Sequence, residues 1–217
     1  MYLKWNQKTI TDFSNSNLNT LYDEGFLFGR IGRGVMDQTR SVRIDLLKFE
    51  LSSENRRILK KTDGLEITNQ AIPYHSYDWS IGKLGKDFYD EKFGEKTFSA
   101  NKIKEQLTDN KKSNFNKLLI YKFKDETVGY AICRETDELL HYCYPFYILN
   151  SKFQIPNSIG LGMMLRAILW AGETNKQYVY LGSAQRPSDT YKLQFEGIEW
   201  FDGKEWQTDL LELKKLL

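Results

Sequence analysis

The sequence predicts an α+β fold: a mixed, mostly antiparallel sheet flanked by helices, with a small N-terminal α/β unit. Three strand patterns follow one another closely at Leu118–Phe123, Val128–Arg134 and Glu138–Ile148. A strongly apolar helix is predicted next over Ser158–Glu173, and a buried strand over Tyr178–Ser183. Strands joined by short turns pair antiparallel, whereas strands separated by a helix often pair parallel, so we expect a mixed sheet.

Composition and charge limit the class of protein. The 217 residues are 41% apolar and 28% charged, as in an ordinary globular protein. The net charge of +2 excludes a highly basic nucleic-acid coat and leaves room for a local basic patch. The N-terminus lacks an apolar segment, and no stretch approaches the ~20 apolar residues of a membrane span. We therefore expect a cytoplasmic protein without a membrane partner.

The N-terminal unit, residues 1–72, begins with an Asn/Ser-rich segment, Ser14–Asn19, which is typical of an exposed loop. Gly25–Gly32 then places glycines around a short apolar strand. Ser41–Leu51 starts as alternating apolar and polar residues, the pattern of a strand with one buried face. These features predict a compact α+β unit.

A short basic helix follows. Ser52 or Ser53 is expected to cap its start, Gly64 to end it, and Leu65–Ile72 to return as a strand. The basic residues of this helix are Arg56, Arg57, Lys60 and Lys61. They form either a solvated helix face or a phosphate-contacting face, and the sequence leaves both open.

Two further segments complete the predicted organisation. Residues 73–114 are expected to form a helical connector or insert, whose second helix starts at Ser99. Residues 115–217 carry the main sheet. In that segment a helix with proline near its first turn is predicted over Pro187–Phe195, followed by a hairpin and a terminal helix.

The order of three antiparallel strands, helix, strand, helix and hairpin resembles the acyl-CoA N-acetyltransferase (GNAT) fold. The spacing Asn157-x-x-Gly160-x-Gly162 resembles that superfamily's pyrophosphate loop, whose first position is usually Gln or Arg. Backbone N–H groups at a helix N-terminus, uncovered by glycines, bind anionic groups. The resemblance implies that Gly160 and Gly162 contact the donor.

Short motifs also occur in a fixed order along the chain. They are Gly25-Phe26-Leu27-Phe28-Gly29-Arg30, Val42-Arg43-Ile44-Asp45, Ser53-Glu54-Asn55-Arg56-Arg57, Leu161-Gly162, Tyr180-Leu181-Gly182, Tyr191-Lys192-Leu193-Gln194-Phe195 and Trp206. Their types and order are similar to those of the aminoacyl-tRNA–protein transferases, the arginyl-transferases and the bacterial aspartate/glutamate leucyltransferases. The resemblance implies transfer of leucine or arginine from aminoacyl-tRNA to the α-amine of a protein or peptide N-terminus.

The chain departs from that family at three places. The family usually has a cysteine cluster before the Val-Arg strand, but Arg33–Ser41 contains no cysteine. Ser183 replaces the tyrosine of Tyr-Leu-Gly-Tyr, and Arg186-Pro187-Ser188-Asp189 replaces Cys-Pro-x-Met. Cys133 and Cys143 lie in predicted strands without metal-ligand spacing and are expected to be core residues. No metal and no cofactor are expected, and the donor and acceptor specificities stay open.

The chemistry implied by the resemblance is direct aminolysis without a covalent enzyme intermediate. An aminoacyl ester is already activated, and an α-amine with a pKa of ~7.7–8 is partly neutral at cellular pH. Tyr191 is the candidate acid/base, with packing under the sheet as its alternative. Ser183, at the end of its strand, is the candidate oxyanion contact. His75 and His141 are expected to be structural.

The other candidates are arginines and aromatic residues that would bind substrate. Arg56 and Arg57 are expected to contact tRNA phosphate, with only one pointing inward, since adjacent helix residues diverge by about 100°. Arg43 faces either the site or solvent. An acidic acceptor would require Arg30, Arg43 or Arg186. The alternating residues Tyr142, Tyr144 and Phe146 either stack the terminal adenine or form one core face.

The matched motifs near the end of the chain supply the last candidates, Tyr180, Gly182 and Lys192. Core packing is the alternative for Tyr180, and Lys192 either contacts phosphate or ribose or is merely exposed. Two other functions stay open: a CoA-dependent N-acetyltransferase, with acetyl-CoA as donor, and a non-catalytic binding protein of the same fold. The oligomeric state is also open.

Overall fold

The computed structural model describes residues 3–149 and 158–217. Its strands are β1 Asn6–Thr9, β2 Phe26–Phe28, β3 Val35–Gln38, β4 Ser41–Asp45, β5 Leu65–Ala71, β6 Lys117–Phe123, β7 Glu126–Glu135, β8 Leu139–Tyr147, β9 Tyr178–Ser183, β10 Ile198–Phe201 and β11 Trp206–Gln207. Its helices are α1 Asn15–Asp23, α2 Ser53–Lys61, α3 Trp79–Phe93, α4 Ala100–Thr108, α5 Ile159–Glu173, α6 Leu210–Lys215 and a 3-10 helix, Pro187–Gln194. The predicted α+β class, with a mixed, mostly antiparallel sheet flanked by helices, is confirmed.

The chain forms two compact units, each built from non-consecutive segments. Among the described residues, unit 1 comprises 3–55, 135–141 and 170–217, and unit 2 comprises 56–134, 142–149 and 158–169. The three consecutive segments expected from the sequence, 1–72, 73–114 and 115–217, are a different division, and that division stays a prediction.

Unit 1 contains a small antiparallel sheet in the order β1-β3-β2 and the strand order β11-β10-β4-β9-β8. β4 pairs antiparallel with both β9 and β10, so that Arg43 lies opposite Tyr180 on one side and Glu199 on the other. β8 and β9 are parallel, and their last registered pair is His141 with Tyr180. All five residues of β4 are buried, so β4 is the central strand of this unit.

Helix α1 occupies the segment that the sequence assigned to an exposed loop. The Ser14 side chain accepts a hydrogen bond from the backbone N–H of Asn17 and caps the helix. Leu18, Leu21 and Tyr22 are buried along one face. The loop prediction was wrong because it relied on asparagine and serine, which occupy the exposed positions of the helix. The burial of three larger side chains stabilises the helix nevertheless.

Unit 2 contains the strand order β8-β7-β6-β5 together with α3 and α4. β6 pairs antiparallel with both β5 and β7. Lys124 and Asp125, with φ angles of 51° and 68°, form the tight turn between β6 and β7. Ser99 caps α4, as predicted. In the parts of the chain that the structure describes, no helix has the length and apolarity needed to cross a membrane.

Candidate functional site

A buried lysine lies at the C-terminal end of β9. Lys192 is 8% exposed, and its Nζ donates a hydrogen bond to the carbonyl oxygen of Ser183 at 2.7 Å. Gly182 has a left-handed φ of 83°, and a Cβ at this position would lie 3.8 Å from Lys192 Nζ. Gly182, Ser183 and Lys192 are therefore close together. The alternative of an exposed Lys192 is wrong, because the protein covers it.

Asp189 fixes the turn that joins β9 to the 3-10 helix. Its Oδ2 accepts hydrogen bonds from the backbone N–H groups of Gln185, at 3.0 Å, and Arg186, at 3.1 Å. Its Oδ1 lies 3.3 Å from Lys192 Nζ. This role of Asp189 is not predicted from the sequence. The sequence signal for it is the spacing of a capping box, in which a carboxylate stands three residues after the residue that precedes the helix, here Asp189 after Arg186.

Tyr191, the predicted acid/base, precedes Lys192 in the 3-10 helix. It is 45% exposed, so the alternative of packing under the sheet is wrong. Lys192 Nζ lies 5.8 Å from the centre of the Tyr191 ring. The neighbouring Ser183 hydroxyl accepts a hydrogen bond from Gln185 Nε2 at 3.3 Å. The catalytic roles of Tyr191 and Ser183 stay predictions.

Arg43 is the buried centre of an ion-pair cluster in unit 1 that also includes the exposed carboxylate of Asp23. Its Nε donates to Glu199 Oε2 at 2.9 Å. Its Nη1 donates to Asp23 Oδ1 at 2.8 Å and to the Tyr180 hydroxyl at 3.2 Å. The alternative that Arg43 faces solvent is wrong, because its side chain is only 7% exposed. These partners favour a structural role, and substrate binding by Arg43 and Tyr180 stays a prediction.

Aromatic rings enclose the Arg43 guanidinium from two sides. Its carbon lies 4.0 Å from the centre of the Tyr178 ring and 3.9 Å from that of Trp206. Burial alone would lower the pKa of Arg43, but Tyr180 and the carboxylates of Asp23 and Glu199 raise it overall. Burial also raises the pKa of Tyr180. The cluster therefore holds a permanent cation beside a protonated tyrosine hydroxyl.

His141 is a buried neutral histidine in the same unit. Its Nδ1 lies 3.0 Å from the Tyr22 hydroxyl. Its Nε2 has no hydrogen-bond partner among the described residues. Burial, with a smaller contribution from the charge of Lys192, lowers the pKa of His141 to about 3. This environment favours the structural role expected for His141, whereas His75 is exposed in unit 2.

The three aromatic candidates on β8 pack within unit 2. Phe146 is fully buried, with its ring centre 5.4 Å from that of Tyr130. Tyr144 meets the edge of Phe98 at 5.3 Å, and Tyr142 is 3% exposed. These contacts favour the alternative of a core face, and stacking of a terminal adenine stays a prediction.

The two glycines of the predicted phosphate loop lie in the first turn of α5, whereas Asn157 lies outside the described residues. A Cβ at Gly160 would lie 2.6 Å from the Tyr147 hydroxyl oxygen, and one at Gly162 would lie 2.7 Å from Thr62. The N–H of Gly162 already donates to the Ser158 carbonyl at 2.9 Å. Close packing thus explains both glycines, and donor binding by Gly160 and Gly162 stays a prediction.

Arg56 and Arg57 are both exposed on α2. The expectation that one of them points inward is wrong, because Asn55 and Ile58 take the buried positions of this helix. Their proposed contact with tRNA phosphate is considered below.

The structure therefore gathers the candidates in two sets. Those in unit 1 are Arg43, Tyr180, Gly182, Ser183, Tyr191 and Lys192. Those in unit 2 are Arg56, Arg57, Tyr142, Tyr144, Phe146, Gly160 and Gly162. Cys133 is buried in β7 and Cys143 is half-buried in β8. Within residues 3–149 and 158–217, no group of three or more His, Cys, Asp or Glu side chains could hold a metal ion.

No protein-family model and no curated protein sequence matches the chain. One similar solved structure is the C-terminal domain of a protein described as a lysylphosphatidylglycerol synthetase from Agrobacterium fabrum. It is 14% identical, with a TM-score of 0.46 over 79% of this chain and 52% of that chain. A second is L-PGS from Bacillus licheniformis, 14% identical, with a TM-score of 0.44 over 77% of this chain and 49% of that chain.

A third similar structure is a GCN5-related glucosamine N-acetyltransferase region of a fungal multi-domain GH3 β-N-acetylglucosaminidase. It is 9% identical, with a TM-score of 0.48 over 89% of this chain and 24% of that chain. By its name this third protein is an acyltransferase. The chain spans about half the length of the first two structures. The resemblance to aminoacyl-tRNA–protein transferases stays a prediction.

Proposed function

We propose that this protein transfers a leucyl or arginyl group from aminoacyl-tRNA to the N-terminal α-amine of a protein or peptide. The observation that carries the proposal is the end of β9. There the Tyr180-Leu181-Gly182 and Tyr191-Lys192 motifs come together through the 2.7 Å hydrogen bond from Lys192 to Ser183. Two separate motifs of the resemblance thus contribute to one place in unit 1.

The reaction needs no reagent beyond its two substrates. The neutral amine nitrogen attacks the ester carbonyl carbon, a C–N bond forms, and the C–O bond to the tRNA ribose breaks. The nitrogen loses one proton and the departing ribose oxygen gains one. The hydroxyl of Tyr191 donates its proton to the departing ribose oxygen, and the resulting phenolate accepts the proton that the nitrogen loses, as general acid–base catalysis requires.

The neighbours of Tyr191 supply positioning and electrostatic support. The Ser183 hydroxyl, at the end of β9, is the proposed donor to the oxyanion that develops on the carbonyl oxygen. The charge of Lys192 lies directly behind this strand end and favours negative charge there. Because Lys192 Nζ is held by Ser183 and Asp189, we assign it a positioning role.

A CoA-dependent N-acetyltransferase is the second candidate function. The parallel pairing of β8 with β9, separated in sequence by α5, matches the strand, helix, strand order on which the GNAT resemblance rests. In that case acetyl-CoA replaces aminoacyl-tRNA and the acceptor is still an amine.

The deciding experiment is a transfer assay with mass-spectrometric detection. The purified protein is mixed with a pool of charged tRNAs and a panel of peptides that differ in their first residue, and acetyl-CoA is tested in parallel. An added leucine or arginine residue supports the proposal and identifies the acceptor. An added acetyl group would replace it with the second candidate. No added mass with either donor would contradict both and favour a binding protein.

A further inference from the structure

A charged surface away from the end of β9 is the exposed face of α2. Its basic residues, all exposed, are Arg56, Arg57, Lys60 and Lys61. At about 100° per residue these four side chains lie within an arc of about 140°. Glu54 is the only acidic residue of the helix. We name this arc the basic face of α2.

The opposite side of α2 is buried and fixes its orientation. Ile58 is 2% exposed, and Thr62, directly after the helix, is fully buried. Within unit 2, a Cβ at Gly162 of α5 would lie 2.7 Å from the Thr62 side chain, and Arg166 Nη2 donates to the Thr62 carbonyl at 3.4 Å. The basic face therefore points to solvent because the opposite side of the helix is buried, and Thr62 fixes the end of the helix against α5.

The charge of this face is concentrated at its two ends. Lys60 and Lys61 occupy the last turn of α2, and Arg56 and Arg57 lie one turn nearer its start. A ligand with several negative charges in a row matches four cations placed along one exposed helix face.

We propose that the basic face of α2 binds the phosphodiester backbone of RNA, independently of base sequence. This inference deepens the proposed function and rests on it, because the proposed donor is a tRNA. Arginine and lysine side chains on one helix face suit a succession of phosphates, and phosphate contacts carry no base information. An anionic membrane is a poorer partner, because an interfacial helix inserts an apolar face, whereas the apolar residues of α2, Ile58 and Leu59, are buried and half-buried within the protein.

The proposal predicts that tRNAs of different sequence bind with similar affinity. It also predicts a steep dependence of that affinity on salt. Each lost phosphate contact reduces the slope of log K against log salt concentration by about 1. Any discrimination among the amino acids carried must then come from another part of the protein.

The test measures the binding of a mixture of deacylated tRNAs, by fluorescence anisotropy, over a range of KCl concentrations. The main variant is Lys60→Gln/Lys61→Gln. Its matched control is Lys214→Gln/Lys215→Gln, because these lysines are also exposed and occupy the last turn of α6. Both variants lower the net charge by two and remove the same interaction with a helix dipole.

We expect the α2 variant to reduce the salt slope by about 2 and the affinity at 0.1 M KCl on the order of 10-fold. The α6 control should bind as the unmodified protein does. Lys60→Arg/Lys61→Arg should restore binding, which excludes a folding defect. Equal binding of tRNA by the α2 and α6 variants would overturn the proposal. It would also be overturned if the α2 variant lost more of its binding to anionic phospholipid vesicles than of its binding to tRNA.

Binding and transfer separate this proposal from the proposed function. If the α2 variant binds tRNA weakly and the unmodified protein transfers nothing, the basic face stands and the transferase function fails. If transfer occurs and the α2 substitutions change neither tRNA binding nor the KM for tRNA, the function stands and the basic face fails.

Discussion

Lys192 Nζ lies 2.7 Å from the carbonyl oxygen of Ser183 and 3.3 Å from Asp189 Oδ1. A buried cation thus connects the last residue of β9 to the 3-10 helix that follows it. Both contacts are made by one atom, so a single substitution tests the whole connection.

Replacing Lys192 with methionine keeps most of the side-chain volume and removes the charge. The Ser183 carbonyl loses a donor and Asp189 loses its cation, so we expect the free energy of unfolding to fall by about 1–3 kcal/mol. Urea denaturation measures the change. Lys215→Met, at an exposed position of α6, should alter it by less than about 0.5 kcal/mol. An equal effect of the two substitutions would show that the connection does not stabilise unit 1.

Replacing Tyr191 with phenylalanine removes only a hydroxyl from a side chain that is 45% exposed. The stability should therefore change by less than about 0.5 kcal/mol. If the hydroxyl is the acid/base, the transfer rate should fall by roughly 10²- to 10⁴-fold. Single-turnover assays with aminoacyl-tRNA measure the rate. An unchanged rate would remove Tyr191 from the catalytic group.

His141 should make the protein less stable in mild acid. The pKa of His141 is about 3 in the folded protein, against 6.5 for an ordinary histidine, so between these values the unfolded chain binds more protons. Its contribution is complete above pH 6.5 and is lost as the pH falls towards 3. Between pH 6.5 and 5 we expect a loss of about 2 kcal/mol in the free energy of unfolding.

The two histidines of the chain provide a matched comparison for this effect. His141→Gln should remove most of the stability change between pH 6.5 and 5, measured by urea denaturation at each pH. His75→Gln should retain it, because His75 is exposed. A pH dependence that survives the His141 substitution would assign the effect to other groups.

Gly162→Ala should destabilise the protein although alanine is the better helix former. The added Cβ would lie 2.7 Å from Thr62, and such overpacking costs about 1–3 kcal/mol. Gly172→Ala in the same helix is the control, since no atom lies within 4 Å of its Cβ position. We expect the control to stabilise by about 0.5–1 kcal/mol, with thermal unfolding as the measurement.

Relief of the contact provides a second test. Thr62→Ala removes the side-chain atoms that the new methyl group would meet, so the double variant Gly162→Ala/Thr62→Ala should be more stable than the sum of the two single changes predicts. Strict additivity would mean that the two positions do not interact.

The sequence predicted the strands of the sheet better than the environment of individual polar residues. The pairs β6–β7 and β8–β9 follow from alternation, turns and helix placement, which are local signals. Helix α1 was missed because its apolar stripe consists only of Leu18, Leu21 and Tyr22. The strands β1 and β3 are four residues each, which is too short for an alternating pattern to stand out.

The candidate site shows the same difference between local signals, which the sequence reveals, and the surroundings of individual side chains, which it does not. Motif order drew attention to Gly182 and Lys192, but it did not indicate that Lys192 is buried. The ion pair of Arg43 with Glu199 joins residues 156 positions apart. It depends on the register of β4 with β10, and a single sequence does not reveal that register.

The division into two units has a consequence for how the chain acquires its structure. The chain passes between the units after residues 55, 134, 141 and 169. A continuous fragment, residues 56–169, contains all of unit 2, whereas unit 1 requires both early and late segments together with residues 135–141. Pairing between such distant segments slows folding. On the ribosome, unit 1 cannot close until the last strands and α6 have been synthesised.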